Sequence, residues 1–348
     1  MTVILKVDPE HPQREAIEQA ASLIRSEGLV AFPTETVYGL GADAMSERAV
    51  QKIFTAKGRP TDNPLIVHVC DREMLATVAA QVGPKVEALI KRFWPGPLTL
   101  VLERRPELPP SVSAGLPTVA VRMPRNAVAL ELIRAARTPI AAPSANLSGR
   151  PSPTSAAHVA ADLGGRIDMI LDGGMTNIGI ESTVLDVTTD TPVILRPGWV
   201  TLEQLTQTIG PVASAASERE LSRSPGTRYR HYSPRARVLL IENGAPEFLR
   251  RAIASNLADG PVGFIGHSRV DIHHPQFHGV SLHDSPQEYA QTIYAALREL
   301  DEQRPRVIIV EGISESGEGA AVMDRLRRAA SEILRGGANA GAQETEPH

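Results

Sequence analysis

One stretch restricts the fold of this chain more than any other. It is a short apolar segment that ends in a proline and continues into a hydroxyl-rich stretch with two glycines. It occupies residues 30–44, which read VAFPTETVYGLGADA. The apolar start is typical of a buried strand, and glycine allows the backbone to approach a ligand closely. Thr34, Thr36 and Tyr38 place hydroxyl groups just after the strand, where open α/β sheets bind ligands. We therefore expect a binding site here, with the glycines shaping a turn before a helix that Ser46 caps.

The alternation of short apolar runs with amphipathic helical patterns predicts an α/β fold in two domains. At 348 residues the chain is longer than one hydrophobic core usually supports. After about residue 210 the composition shifts to small, polar and charged residues, and a second strand–helix alternation then follows. We predict a first domain over 1–210, a linker over 211–236, a small, mostly parallel α/β domain over 237–335, and a disordered tail over 336–348.

Two segments of the second half carry specific expectations. Residues 224–234 read SPGTRYRHYSP, and their tyrosines, histidine and arginines are unusual for a flexible linker, so we expect this segment to dock on the protein. Residues 321–334 have a helical pattern. A histidine-rich patch between them has neither helical register nor a carboxylate scaffold, and we interpret it as a solvated loop rather than a metal site. Its members are His273, His274, His278 and His283.

Charge and cysteine content exclude several classes of protein. The net charge of −4 gives no global basic field for nucleic acid or membranes, although a local basic cluster is compatible with it. The single cysteine, Cys70, excludes an internal disulfide and a cysteine metal site, and its apolar neighbours predict a core position. No run approaches the roughly 18 apolar residues of a membrane span, and no signal peptide is apparent. We expect a soluble cytoplasmic protein.

Four cations follow strands or lie in loops of the first domain. They are Lys57, Arg59, Arg122 and Arg196. In an acidic protein, cations placed in this way favour an anionic ligand such as a polyphosphate or a carboxylate. The alternative is that they are scattered surface charges.

Known nucleotide and catalytic motifs fit poorly. There is no G-x-x-x-x-G-K-[ST] phosphate loop, and residues 39–44 fit only a loose dinucleotide pattern. Five residues, 34–38, most of them polar or aromatic, separate those glycines from the strand, and Asp62, the only candidate for a ribose ligand, lies in a proline-rich loop. A nicotinamide site is therefore disfavoured. There is no G-x-S-x-G motif, and Ser144 has no evident base partner, so nucleophilic catalysis lacks support. His68 can be either a core histidine or a ligand contact.

Taken together, six motifs resemble the threonylcarbamoyl-AMP synthase family, which has the YrdC-like fold. They are residues 33–41 (PTETVYGLG), 57–65 (KGRPTDNPL), 94–99 (WPGPLT), 121–124 (VRMP), 142–146 (APSAN) and 181–183 (EST). The likeness covers about residues 1–205, and the segment from 224 with the second α/β unit resembles the long, two-domain form. It implies an α/β fold: a YrdC-like twisted open mixed sheet with helices, plus a smaller C-terminal Rossmann-like domain.

The resemblance also implies a reaction. L-threonine, bicarbonate and ATP give threonylcarbamoyl-AMP and pyrophosphate, so the enzyme is a nucleotidyltransferase of tRNA processing. A separate tRNA threonylcarbamoyl transferase complex, with which transient contact is implied, modifies the adenosine next to the anticodon. Mg²⁺ is expected to arrive with ATP, because no acidic pair marks a metal cage. Direct tRNA binding is left open.

Site residues carry over by motif. Lys57 and Arg59 are expected to be catalytic, holding the triphosphate and offsetting charge on the leaving pyrophosphate. The ATP-binding set is Lys57, Arg59, Asn63, Thr118, Ser144, Asn146, Ser152, Arg196 and Tyr232. The threonine-binding set is Thr36, His68, Arg122, Ala142 and Ser182. We hypothesise that residues 229–232 form a lid over the nucleotide. The alternative function is an RNA-binding module that uses the first-domain cations.

Overall fold

The first domain is organised around one large mixed sheet. The computed structural model describes residues 1–215, 217 and 232–336. The strands of this sheet are β1 (Val3–Lys6), β2 (Val30–Phe32), β3 (Gly39–Asp43), β4 (Ile66–His68), β5 (Leu98–Glu103), β6 (Thr118–Arg122), β7 (Ile140–Ala141), β8 (Met169–Asp172), β9 (Thr183–Asp186), β10 (Val193–Arg196) and β11 (Ala213–Ser214). Their order across the sheet is β1-β8-β2-β3-β7-β4-β6-β5-β9-β10-β11.

Helices cover this sheet because successive strand residues point to opposite faces. They are α1 (Arg14–Arg25), α2 (Glu47–Lys57), α3 (Arg72–Val78), α4 (Pro84–Phe93), α5 (Ala127–Ala136), α6 (Ala156–Leu163) and α7 (Leu202–Ile209). Helices α1 and α5 bury apolar side chains against Val30 and Phe32, whereas Ala31 belongs to the opposite cluster with α2 and α4. The predicted cap of α2 is confirmed, because the Ser46 hydroxyl accepts from the backbone of Ala49 at 3.2 Å.

The second domain is a smaller parallel α/β unit. Its strands are β12 (Arg237–Glu242), β13 (Val262–Gly266), β14 (Phe277–Ser281), β15 (Val307–Glu311) and β16 (Glu332–Arg335), in the order β14-β13-β15-β12-β16. Its helices are α8 (Pro246–Leu257), α9 (Pro286–Glu302) and α10 (Gly319–Ala329). Each of its neighbouring strand pairs is parallel, as predicted. None of the helices described in the two domains is long and apolar enough to cross a membrane.

Two secondary-structure predictions are wrong. Gly39 and Gly41 do not shape a turn; they lie in β3, which pairs antiparallel with β2. The helix predicted over 321–334 ends at Ala329, because residues 332–335 gain more from parallel pairing with β12 as an edge strand. Helix α3 and strand β14 were not predicted, and β11 extends the first sheet to Ser214, beyond residue 210. Most of the predicted tail, residues 337–348, lies outside the described residues.

Close packing rather than a turn explains the second glycine of the opening stretch. A Cβ atom at Gly41 would lie 2.7 Å from Cε1 of Phe32 and 2.8 Å from Cγ2 of Ile140. We therefore expect Gly41→Ala to lower the free energy of unfolding by about 1–3 kcal/mol through overpacking. Gly83→Ala is the matched control, because a Cβ atom added there would meet nothing within 4 Å. If urea denaturation shows equal losses in the free energy of unfolding for the two variants, this explanation is contradicted.

Candidate functional site

Eleven of the fourteen predicted site residues line one small cavity on the first domain. The cavity lies where β4, β6 and the segments that follow β2 and β7 converge, and its volume is about 60 Å³. The predicted residues on its wall are Thr36, Arg59, His68, Arg122, Ala142, Ser144, Asn146, Ser152, Ser182, Arg196 and Tyr232. Lys57, Asn63 and Thr118 are buried outside that wall. The cavity also includes Arg150 and Glu181, which the motifs did not assign.

Arg122 is held in one orientation by two hydrogen bonds and one ion pair. Its Nη1 donates to Thr36 Oγ1 at 2.9 Å, and its Nε donates to the Gly96 carbonyl at 3.2 Å. Its Nη2 lies 2.7 Å from Glu35 Oε2, in an ion pair that is almost fully buried. Glu35 thus helps to fix the orientation of the Arg122 guanidinium. It lies inside the recognised 33–41 motif, but its partner belongs to a distant strand, so no local pattern pointed to the pair.

His68 contributes a neutral imidazole to the cavity. It lies on β4 directly beside Arg122 of β6, and its side chain is buried. Its Nδ1 has no hydrogen-bond partner in the described structure. Burial, with a contribution from the charge of Arg122, lowers the pKa of His68 to about 3. The structure therefore places this buried histidine on the cavity wall, and its contact with a ligand stays a prediction.

Lys57 lies beneath the cavity wall rather than on it. Its ammonium group donates to the carbonyls of Ser144 and Asn146 and lies 3.4 Å from Asn146 Oδ1. Burial lowers the pKa of Lys57 well below its ordinary value. In this arrangement the lysine supports the 144–146 loop. The loop is further fixed by the Asn146 amide, which donates to the carbonyls of Leu147 and Arg150 at 2.8 Å.

Arg59 and Arg196 bring further positive charge to the cavity wall. Arg59 Nη2 donates to the Pro64 carbonyl at 2.9 Å, and burial lowers its pKa to about 10, so it is charged at neutral pH. Arg196 donates to the Ser182 carbonyl from Nε at 3.1 Å and from Nη2 at 3.0 Å. Backbone carbonyls thus anchor both guanidinium groups, and they do so without adding a full negative charge.

Glu181 connects the cavity wall to the second domain. Its carboxylate accepts from Ser152 Oγ at 2.5 Å, from the Tyr294 hydroxyl of α9 at 3.0 Å and from Arg325 Nε of α10 at 2.8 Å. Burial acts to raise the pKa of Glu181, but the charges of Arg325 and Arg196 and these hydrogen bonds outweigh it and lower the pKa. The second domain therefore supplies part of the support of the site.

Tyr232 closes the cavity from the side of the second domain. It is buried, stacks on Tyr294 with ring centroids 5.3 Å apart, and has Arg325 5.7 Å from its ring centre. Its φ of 66° is a left-handed backbone conformation. The other residues of the predicted lid, 229–231, lie outside the described residues.

Helix α9 also packs against the segment that supports the hydroxyl-rich loop. The backbone N–H groups of Ile178 and Gly179 donate to the carbonyls of Glu35 and Thr36 at 2.8 and 3.0 Å. A Cβ atom at Gly179 would lie 2.1 Å from the Ala290 carbonyl oxygen of α9. A glycine is required here both by this close approach and by a φ of 86°. The second domain therefore packs against a segment that is hydrogen-bonded to Glu35, a member of the buried ion pair.

The carboxylates near the cavity are engaged by arginines. Glu35 pairs with Arg122, and Glu181 pairs with Arg325. Among the described residues, no group of three or more histidine, cysteine, aspartate or glutamate side chains is placed to hold a metal ion.

Removing the carboxylate of Glu181 should deprive the buried Arg325 of its partner on the cavity wall and leave it paired with Asp324 alone among the carboxylates that contact it in the described structure. We expect Glu181→Gln to lower the free energy of unfolding at pH 7 by about 3–5 kcal/mol. The control is Glu18→Gln, which breaks the exposed ion pair of Glu18 with Arg25 and should cost less than about 1 kcal/mol. Chemical denaturation of both variants measures the two losses in free energy of unfolding. Similar losses would show that the buried pair stabilises the protein no more than an exposed one.

The buried neutral His68 should make the protein less stable in mild acid. Its folded pKa of about 3 lies below the ordinary value of 6.5, so the unfolded chain takes up a proton that the folded chain does not. Stability should fall as the pH drops below 6.5, by up to about 1.4 kcal/mol per pH unit from this group. We expect His68→Asn to reduce the change in the free energy of unfolding between pH 7 and pH 5, measured by urea denaturation. The control His273→Asn, at an exposed position, should leave that change as it is in the wild type. An unchanged slope in the His68 variant would contradict this assignment.

Comparisons with known proteins match most of the chain. A family model described as "Telomere recombination" (Sua5_yciO_yrdC) matches residues 22–198, and one described as "Threonylcarbamoyl-AMP synthase, C-terminal domain" matches residues 200–331. The chain is 48% identical to a threonylcarbamoyl-AMP synthase of Pyrococcus abyssi, over 94% of this chain and 98% of the relative. It is 47% identical to one of Bacillus subtilis, over 90% of this chain and 92% of the relative.

A solved structure gives the same result for the whole fold. The crystal structure of Pyrococcus abyssi Sua5 complexed with L-threonine superposes with a TM-score of 0.91 at 45% identity, and covers 96% of this chain and 99% of that chain. Sequence and fold therefore agree over both domains, and the resemblance first seen in the motifs is confirmed. The chain belongs to the threonylcarbamoyl-AMP synthase family, in its two-domain form.

Proposed function

We propose that this protein is an L-threonylcarbamoyladenylate synthase, a nucleotidyltransferase that converts L-threonine, bicarbonate and ATP into threonylcarbamoyl-AMP and pyrophosphate. One observation carries the proposal: a single cavity combines an oriented guanidinium for a carboxylate, Arg122, with two further buried guanidiniums, Arg59 and Arg196. An amino acid and a polyphosphate can thus be bound side by side. The threonine bound to the relative from Pyrococcus abyssi supports this assignment.

The threonine half would be formed by the residues around Arg122. A planar guanidinium suits the carboxylate of an amino acid as a two-pronged donor, and Glu35 and the Gly96 carbonyl already fix its plane. His68 is neutral, so it adds a polar contact without adding charge. Ser182 and the backbone at Ala142 complete the predicted set on the same wall.

The ATP half would be formed by Arg59, Arg196 and the 144–146 loop. In the proposed reaction, the amine of threonine and bicarbonate give N-carboxy-threonine with loss of water, and a carboxylate oxygen of this carbamate attacks the α-phosphorus of ATP. The bond from that phosphorus to the bridging oxygen breaks, and pyrophosphate leaves with the electron pair. Cations fixed in advance stabilise the charge that develops on the leaving group. Lys57 would act through the loop that it supports, and Mg²⁺ bound to the phosphates would supply further charge neutralisation.

The cavity must widen before a nucleotide can enter. Its volume of about 60 Å³ is far below the roughly 300–1,000 Å³ of typical small-molecule sites. Tyr232 lies on its wall at the boundary between the domains, so outward movement of this residue is a direct way to admit ATP. Closure would then exclude water from a carbamate and a mixed anhydride that water can hydrolyse.

Burial of the cations argues against the alternative of an RNA-binding module. Arg59, Arg122 and Arg196 are between 3% and 9% exposed, whereas cations that contact RNA phosphates lie on an accessible surface. Direct contact with tRNA, transient contact with a transferase complex and a cytoplasmic location stay predictions.

Release of pyrophosphate from ATP tests the proposal directly. We expect release by the full chain to require both L-threonine and bicarbonate. Arg122→Lys should lower kcat/KM for threonine by about 10- to 100-fold, because a lysine cannot reproduce the oriented fork. Arg125→Lys is the matched control, since Arg125 is exposed. Turnover that ignores threonine, or no turnover together with RNA binding that weakens steeply with salt, would overturn the proposal.

A further inference from the structure

A second concavity lies on the other side of the loop that walls the catalytic cavity. This groove has a volume of about 750 Å³ and is lined by residues 147–150, 233–237 and Ser331. Arg150 lines both the groove and the catalytic cavity. The two segments that form the groove are joined by a hydrogen bond from the Ser233 N–H to the Gly149 carbonyl at 2.9 Å. The groove is therefore adjacent to the catalytic cavity, at the junction of the two domains.

Arg150 is held between the two concavities by a buried carboxylate. Its Nη1 donates to Asp162 Oδ1 at 2.6 Å, and the Asp162 side chain is completely buried. Asp162 also pairs with Arg298 of the second domain, at 2.8 Å from Nη2. One aspartate thus faces two guanidinium groups, so positive charge is in excess at this point of the junction.

Two more arginines line the groove, and each is held along one edge only. Arg235 donates from Nε to Asp301 at 3.3 Å, and Arg237 donates from Nη2 to Glu332 at 2.9 Å. Their side chains are 70% and 51% exposed. Among the described residues, their other N–H groups have no hydrogen-bond acceptor, and no carboxylate belongs to the groove lining. The groove thus presents three oriented guanidiniums with donors to spare.

We propose that this groove is an anion site for a condensed phosphate, and that its ligand during turnover is the pyrophosphate released from the neighbouring cavity. Guanidinium forks fixed by carboxylates match the paired oxygens of phosphate groups. Arg150 gives the leaving anion a contact shared by the cavity and the groove. The identity of the ligand rests on the proposed function, whereas the site itself rests on the three arginines.

Pyrophosphate binding to the full-length protein, measured by calorimetry without threonine or bicarbonate, tests the proposal. We expect two pyrophosphates per wild-type chain, one in the cavity and one in the groove. Arg235→Gln combined with Arg237→Gln should remove the groove site or weaken it at least tenfold, while the cavity site persists. The matched control combines Arg250→Gln with Arg251→Gln, two exposed arginines of α8 that carry the same total charge.

The outcomes separate the groove from the proposed function. Pyrophosphate binding that is unchanged by the Arg235 and Arg237 substitutions, or that is weakened equally in the groove and control variants, would overturn the groove site. A groove site that binds a non-hydrolysable ATP analogue or an RNA oligonucleotide but not pyrophosphate would overturn the exit role. Two sites with the expected loss, in a protein that fails the threonine-dependent assay, would support the anion site and refute the synthase.

Discussion

The buried ion pair of Glu181 with Arg325 is the interaction on which the arrangement of the site depends. The two side chains are 8% and 1% exposed, and they come from different domains. Removing one partner of a buried pair typically costs several kcal/mol, so this pair ties the cavity wall to the second domain, where Asp324 also pairs with Arg325. Since Glu181 lies on the cavity wall, its partner in the second domain is part of the support of the site.

This dependence allows the cavity to hold a high density of positive charge. Arg59 and Arg196 are buried and donate to backbone carbonyls, which orient the guanidinium groups without adding a full negative charge, whereas the buried Arg122 is also paired with Glu35. Such an arrangement is costly in the absence of an anion and favourable in its presence. It is the kind of electrostatic preorganisation that favours a reaction in which negative charge moves onto a leaving phosphate.

The local sequence motifs predicted which residues line the cavity better than they predicted the strands and long-range contacts that support it. Thr36, Arg122 and Ser182 were predicted because they lie in such motifs, and they do converge on the cavity. The turn predicted at Gly39 and Gly41 is wrong, because these glycines pair with β2 and pack against the ring of Phe32. Both contacts are tertiary, so no local pattern indicates them. Arg325 could not be predicted, because it pairs with a glutamate 144 positions away and its helix has an ordinary amphipathic pattern.

Long-range contacts of the same kind allow the second domain to influence both concavities. Arg298 reaches Asp162, which orients Arg150, while Tyr294 and Arg325 reach Glu181. Tyr294 and Arg298 lie one turn apart on α9, so a displacement of this single helix would disturb both carboxylates together. A rigid helix that contacts both the cavity wall and the arginine shared with the groove is a physical basis for linking events in the two places. The second domain therefore contributes to the chemistry through position, because none of its described residues from 237 to 336 lines the cavity itself.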